Sequence, residues 1–189
     1  MVPDRIEAEK LLLKGENLMP GAWVSHSRIA AQTAEKIALY CQSLNADKAY
    51  VLGLLHDIGR QFGAGQLKHV YDGYRYMLRL GYDEAARVCL THSFQCQRMD
   101  DYVGKCDITA EQLRELETAL SEIAFDDYDR LIQLCDSMAG KERVLRLEER
   151  AEDIRLRYGN YPLRKLQKNL ELKAYFEKMT GVDLYDILL

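Results

Sequence analysis

The sequence predicts an all-α fold, and three observations carry that prediction. Apolar residues recur at spacings of three and four along most of the chain, which is the period of amphipathic helices rather than of alternating strands. Only three prolines, Pro3, Pro20 and Pro162, interrupt the pattern, and helix-capping residues precede several of the periodic stretches. At 189 residues, 48% hydrophobic and 30% charged, the chain has the size and make-up of one well-cored soluble domain, expected to span 1–189.

Each element follows in order. Pro3 suits the first turn of a helix carrying Ile6, Leu11, Leu12 and Leu13, closed by Gly15 and the Pro20-Gly21 turn. A second helix from about Val24 to Leu44 buries Ile29, Ala30, Ala34, Ile37, Ala38 and Cys41. Asn45 or Asp47 caps a third, with Tyr50, Val51, Leu54, Leu55 and Ile58, which stops before Gly63-Ala-Gly65. His56 and Asp57 fall in its last turns. A fourth helix runs from about Gln66 to Leu80 and a fifth from about Asp83 to Phe94, so His69 opens one and His92 ends the other. The longest loop, Gln95 to Ile108, directly follows His92, where a lid, a specificity loop or a plain surface loop all fit. Thr109-Ala-Glu-Gln112 is a capping box for an acidic helix to about Glu122. Helices over 129–138, 141–158, 163–179 and 182–189 complete the chain.

Bulk properties exclude several functions. A net charge of -4 supplies no basic field for a nucleic-acid polymer. No apolar stretch approaches the ~20 residues of a membrane span. Five cysteines without a C-x-x-C pair, and an N-terminus without a secretory pattern, fit reduced thiols in a cytoplasm. Oligomeric state is not encoded in any visible pattern.

The chemistry concentrates in the histidines. All four, His26, His56, His69 and His92, lie in the first half of the chain, and one begins His56-Asp57 inside Val51-Leu-Gly-Leu-Leu-His56-Asp57-Ile-Gly-Arg60. A carboxylate beside an imidazole in an apolar helix is costly to bury unless a cation or dense hydrogen bonding compensates it. A divalent metal does so. His26, at the start of the second helix, and Asp136, flanked by apolar residues in Leu131-Ile-Gln-Leu-Cys-Asp136-Ser-Met, extend the donor set. Mixed imidazole and carboxylate ligands suit manganese, iron, cobalt, nickel or zinc better than calcium. Arg60, one turn past Asp57, is placed to grip a phosphoryl oxygen, and Arg28 and Lys68 are further candidates for substrate binding. Cys135 reads as packing, because an apolar helix does not activate a thiol.

Ser25-His26-Ser-Arg-Ile-Ala30, Leu54-Leu-His56-Asp57-Ile-Gly-Arg60 and Leu134-Cys-Asp136-Ser137 together resemble the HD superfamily of metal-dependent phosphohydrolases, over about residues 22–140. The resemblance implies a helical bundle with His26, His56, Asp57 and Asp136 on a metal, and leaves 141–189 as a C-terminal helical extension. Some branches add two histidines and hold two metals, with the Asp of the pair bridging. His69, four before Gly73, and His92 in Leu90-Thr-His92-Ser match those additions. The histidine pattern is most similar to the symmetrical diadenosine tetraphosphate hydrolase branch, although that branch's continuation past Asp136 is absent.

The expected function is therefore hydrolysis of a phosphoester or phosphoanhydride in a small phosphorylated metabolite, a nucleotide above all. One or two divalent ions activate water, and Asp57 and Arg60 act in catalysis. His69 or Asp72 would serve proton transfer if only one ion binds. Two rival readings use the same residues: a non-catalytic regulatory module that retains the metal site, and a di-iron oxygenase. In the C-terminal third, Glu142-Arg143, Glu148-Glu149-Arg150 and Arg155-Leu-Arg157 read as solvated faces, with Arg143 and Arg146 as further candidates to reach the substrate.

Overall fold

Ten α-helices make up the fold in the computed structural model, which describes residues 1–189. Asp4 accepts the Glu7 N–H and opens α1 (Arg5–Leu18). α2 (Ala22–Leu39) follows Gly21, and Asn45, accepting from Lys48, caps α3 (Ala46–Leu55). A 3-10 turn over Ile58–Phe62 leads to α4 (Leu67–Arg79) and α5 (Asp83–Thr91). The reciprocal capping box of Thr109 and Gln112 opens α6 (Ala110–Glu122), and a second box, of Asp126 and Asp129, opens α7 (Asp127–Met138). α8 (Leu147–Tyr158) and α9 (Leu163–Thr180) each end on a left-handed glycine, Gly159 and Gly181, before the short α10 (Leu184–Leu188). No strand forms; one isolated bridge joins Ala139 and Val144. No helix is long and apolar enough to cross a membrane.

The core is built around α2 and α3. Ala30 and Ala31 on one helix meet Gly53 on the other, and all of them are buried. A Cβ on Gly53 would lie 2.7 Å from Ala31 Cα and 3.0 Å from Ala30 O, so only glycine permits this approach. The cluster extends through Leu52, Leu54, Leu131, Leu134 and Phe176, while Leu67, Val70, Leu90, Phe94, Leu116 and Leu120 form a smaller one beneath α6. Full burial of each such side chain stabilises the fold by about 1.5–3 kcal/mol.

Several boundaries differ from expectation: α1 runs through Gly15 to Leu18, α3 stops at Leu55 ahead of His56, and α7 begins at Asp127. α2 stops at Leu39 rather than near Leu44, because Cys41 and Leu44 N–H groups bond the carbonyls of Ala38 and Cys41 in successive turns. α5 stops at Thr91, with His92 as its cap. The helix expected from Lys141 begins at Leu147: Gly140 N–H bonds Arg143 O at 2.9 Å and Leu145 N–H bonds Met138 O at 2.8 Å, making a reversal. A side chain on Gly140 would lie 2.6 Å from Arg143 O, so the glycine permits that turn.

Candidate metal centre

The ends of helices bring six side chains to one place. His56 caps α3 and Asp57 follows it, so the pair sits just beyond the helix rather than within its last turns. In that position the His56 imidazole reaches back, and Nδ1 donates to Gly53 O at 2.7 Å, satisfying a carbonyl of the terminal turn. His92 does the same at the end of α5, with Nδ1 donating to Cys89 O at 2.9 Å. His69, in the first turn of α4, donates Nδ1 to Gln66 O. All three use the carbonyl three residues earlier. His26 is locked differently, its Nδ1 donating at 3.1 Å to Ala139 O in the turn after α7.

A carbonyl can only accept, so every Nδ1 carries a hydrogen, and it is Nε2 that each ring, when neutral, offers as a bare lone pair. These converge. His26 Nε2 lies 3.3 Å from His56 Nε2, and His69 Nε2 lies 3.4 Å from His92 Nε2. Asp136 Oδ1 is 2.9 Å from the Nε2 of His26 and 3.6 Å from that of His56. Asp57 Oδ1 is 3.0 Å and 3.6 Å from the Nε2 of His69 and His92. Its Oδ2 faces His56 Nε2 at 4.0 Å and accepts from Arg60 Nε at 2.6 Å.

The six donors thus fall into two lobes about Asp57, which is buried, as are all four histidines. The set fits a divalent cation on chemical grounds. Acceptors face acceptors at hydrogen-bond distance with their other ring nitrogen already spent, an arrangement relieved by a positive ion rather than by a proton donor.

The electrostatics agree. Burial pulls the Asp57 carboxyl up, but Arg60, His69 and His56 outweigh it and hold the group well below the usual range. Burial likewise opposes Asp136, where His26 and His56 win and hold it low. His69 is pushed down by burial and Arg60, and His92 falls to about 3 through burial and His56. These two imidazoles therefore stay unprotonated, as ligands must. His56 goes the other way: burial lowers it, but Asp57 and Asp136 raise it further.

Local packing explains the convergence. Arg87 on α5 pairs with Asp126 and Asp129, and Thr91 donates to Asp129, so α5 and α7 are tied together. Gly59 and Gly73 form the other device. A Cβ on Gly59 would lie 2.0 Å from His69 O and 2.5 Å from Gly73 N, so α4 crosses the 3-10 turn backbone to backbone. That crossing carries His69 to Asp57.

A cavity of about 410 Å³ opens onto both lobes and is lined by Asp57, Arg60, Asp136 and three of the histidines. Of the other expected residues, Arg28 is held by Glu9 on the far side of α2, and Lys68 by Asp72 in a separate shallow groove with Arg75. Neither reaches the cavity, nor does Asp72. Arg143 bonds Glu149 and Arg146 lies over the Tyr185 ring, so these too are turned away.

The structure adds residues that sequence reasoning missed. Trp23 lies one turn before His26, and Tyr102 comes from the 95–108 loop; both line the cavity. Arg150, Arg157 and Tyr158 of α8, Tyr161 and Lys165 line it as well, so two expected solvated faces are walls of the site. The loop is pinned by Asp107 and Lys105 to the start of α4 and by Arg164 and Lys165 to α9.

Among known families, the model described as HD domain matches residues 23–140. Neither the curated proteins nor the solved structures gave a match.

Proposed function

The chain belongs to the HD domain family, whose model covers more than half of it, and from that premise we propose that it is a metal-dependent phosphohydrolase acting on a small phosphorylated metabolite, a nucleotide by class. One observation carries the reading: four imidazoles with Nδ1 bound to backbone carbonyls aim their Nε2 atoms at the buried carboxylate of Asp57 and the half-buried one of Asp136. We assign His26, His56 and Asp136 to one lobe and His69 and His92 to the other, with Asp57 shared, its two oxygens facing different lobes.

A bound divalent ion would supply an acidified water and neutralise charge on the phosphoryl group. The chain's own residues do the rest. Arg60 lines the cavity while its Nε holds Asp57 and its Nη2 faces His69 Nε2 at 3.4 Å, leaving Nη1 of the guanidinium for a phosphoryl oxygen. Tyr102 keeps its proton on Oη, because burial pushes the phenol up, and so serves as a donor at the cavity wall. Trp23, Tyr102, Tyr158 and Tyr161 offer rings on which a nucleobase can stack, which supports the nucleotide class.

The test is a screen of nucleotides and a generic phosphodiester with purified protein plus manganese, cobalt or ferrous iron, under air and without oxygen. Phosphate or monophosphate release in both atmospheres is expected, with loss in His56→Ala and Asp57→Ala. Turnover unchanged in those variants refutes the proposal, and turnover that consumes oxygen assigns the site to oxygenase chemistry.

A further inference from the structure

We infer that the C-terminal helices build a second anion subsite, in which Lys165 with Arg150 and Arg157 binds a phosphoryl group other than the one cleaved, so that the substrate carries at least two. The inference rests on the phosphohydrolase reading and narrows its substrate class. All three residues lie beyond the residues that match the family.

The first observation is a shortage of countercharge on α8. Arg150, Ile154, Arg157 and Tyr158 occupy one helical face and line the cavity. Arg150 Nη1 and Arg157 Nη2 both donate to the same oxygen, Asp153 Oδ2, each at 2.7 Å. One carboxylate thus serves two guanidiniums. The Arg150 side chain is only 14% exposed, and its Nε is buried without any partner. Planar guanidiniums with unspent donors are matched to phosphate oxygens.

The second observation is Lys165 itself. It is 7% exposed, and its Nζ donates to two neutral carbonyls, Ser93 O at 2.8 Å and Asp101 O at 3.1 Å. No carboxylate pairs with it, and an ammonium holds three hydrogens. A buried cation without a counterion is costly until an anion arrives. Burial draws its pKa down to about 8, with Asp136, Asp101 and Cys96 opposing, so it remains charged at neutral pH. Ser93 follows His92, which tethers the ammonium beside the metal centre.

The third observation is the wall as a whole. Its only carboxylates, Asp57 and Asp136, are already engaged by histidines and Arg60, whereas Lys141, Arg150, Arg157 and Lys165 all face the same space. The cavity of about 410 Å³ falls within the ~300–1,000 Å³ typical of small-molecule sites, larger than a lone phosphate requires. The scissile group belongs with Arg60 and the two lobes. The α8 and α9 cations then take the other group.

Phosphonates, which resist hydrolysis, supply the test. Calorimetry on the manganese-loaded full chain would compare methylphosphonate with a series of alkane diphosphonates of increasing length, alongside metal content and melting temperature. The best diphosphonate should bind about tenfold tighter or more than methylphosphonate. That preference should vanish in Lys165→Met and in the double variant Arg150→Gln/Arg157→Gln, with methylphosphonate affinity and metal content retained. If Lys165→Met fails to fold, the arginine pair decides alone, because α8 is anchored by Leu147 and Ala151 rather than by either arginine. Wild-type binding of methylphosphonate without a diphosphonate preference, or a preference that survives the variants, overturns the subsite alone. No binding of either probe overturns the phosphohydrolase reading with it.

Discussion

Replacing Gly59 with alanine should empty one lobe of the metal centre while sparing the other. The new Cβ would lie 2.0 Å from His69 O, 2.5 Å from Gly73 N and 2.9 Å from His69 C, all backbone atoms of α4, whereas real Cβ contacts under 3.0 Å essentially do not occur. No side-chain rotation relieves this, so the start of α4 must retreat by about 1 Å or more, carrying His69 with it. Ligand distances tolerate only about ±0.2 Å, and His69 Nε2 stands 3.0 Å from Asp57 Oδ1 across the lobe. His26, His56 and Asp136 are held by α2, by the end of α3 and by α7, none of which the new Cβ would strike. Overpacking of this kind costs about 1–3 kcal/mol. For a chain of this size, that is a fall in melting temperature of about 2–12 °C. Elemental analysis and thermal unfolding of Gly59→Ala beside the wild type read both effects. Wild-type metal content with an unchanged melting temperature would show that the glycine crossing does not place His69.

Three further outcomes follow from the same geometry. Adding manganese to chelator-stripped protein at about 100 times its Kd should stabilise the fold by about 2.7 kcal/mol, a rise of about 5–11 °C in a melting scan; a flat response contradicts metal binding by the folded chain. The preference for a diphosphonate over methylphosphonate should fall as pH rises through about 8, where Lys165 loses its proton, and stay level in Lys165→Arg. Because that folded pKa lies below the unfolded value of about 10.4, the unfolded chain binds more protons between the two. Folding stability should therefore rise with pH across that window, as urea titrations at successive pH values would register. Arg28→Ala and Lys68→Ala should leave turnover within about twofold and stability within about 1 kcal/mol, since each forms a partly exposed ion pair outside the cavity. A tenfold loss of kcat/KM in either would put that side chain back at the substrate.

Much of this was legible in the sequence, and the reasons are local. The Asn45 cap, the Thr109–Gln112 box and the apolar periodicity each act within a few residues, so helix order could be read directly. The grouping was also visible: His56, Asp57 and Asp136 stand out as polar side chains in apolar surroundings, and His26, His69 and His92 join them through the order that resembles the HD superfamily. Lys165 and Arg150 were not. In an amphipathic, charged helix nothing in the residue string separates a cation that faces water from one that turns inward, and only the packing of α8 and α9 over the cavity decides. The reversal at Gly140 was hidden for a similar reason: Arg143 and Leu145 bond back to Gly140 and Met138, a tertiary pairing that overrides the helical tendency of 141–146.

The most direct measurement is the metal content of the full chain by elemental analysis, after loading with manganese or ferrous iron and desalting. The two-lobed arrangement predicts about two ions per chain, falling to about one in His92→Ala and to near none when Asp57→Ala removes the shared carboxylate. A wild-type chain that retains no stoichiometric ion, or an Asp57→Ala chain that retains the full complement, contradicts it.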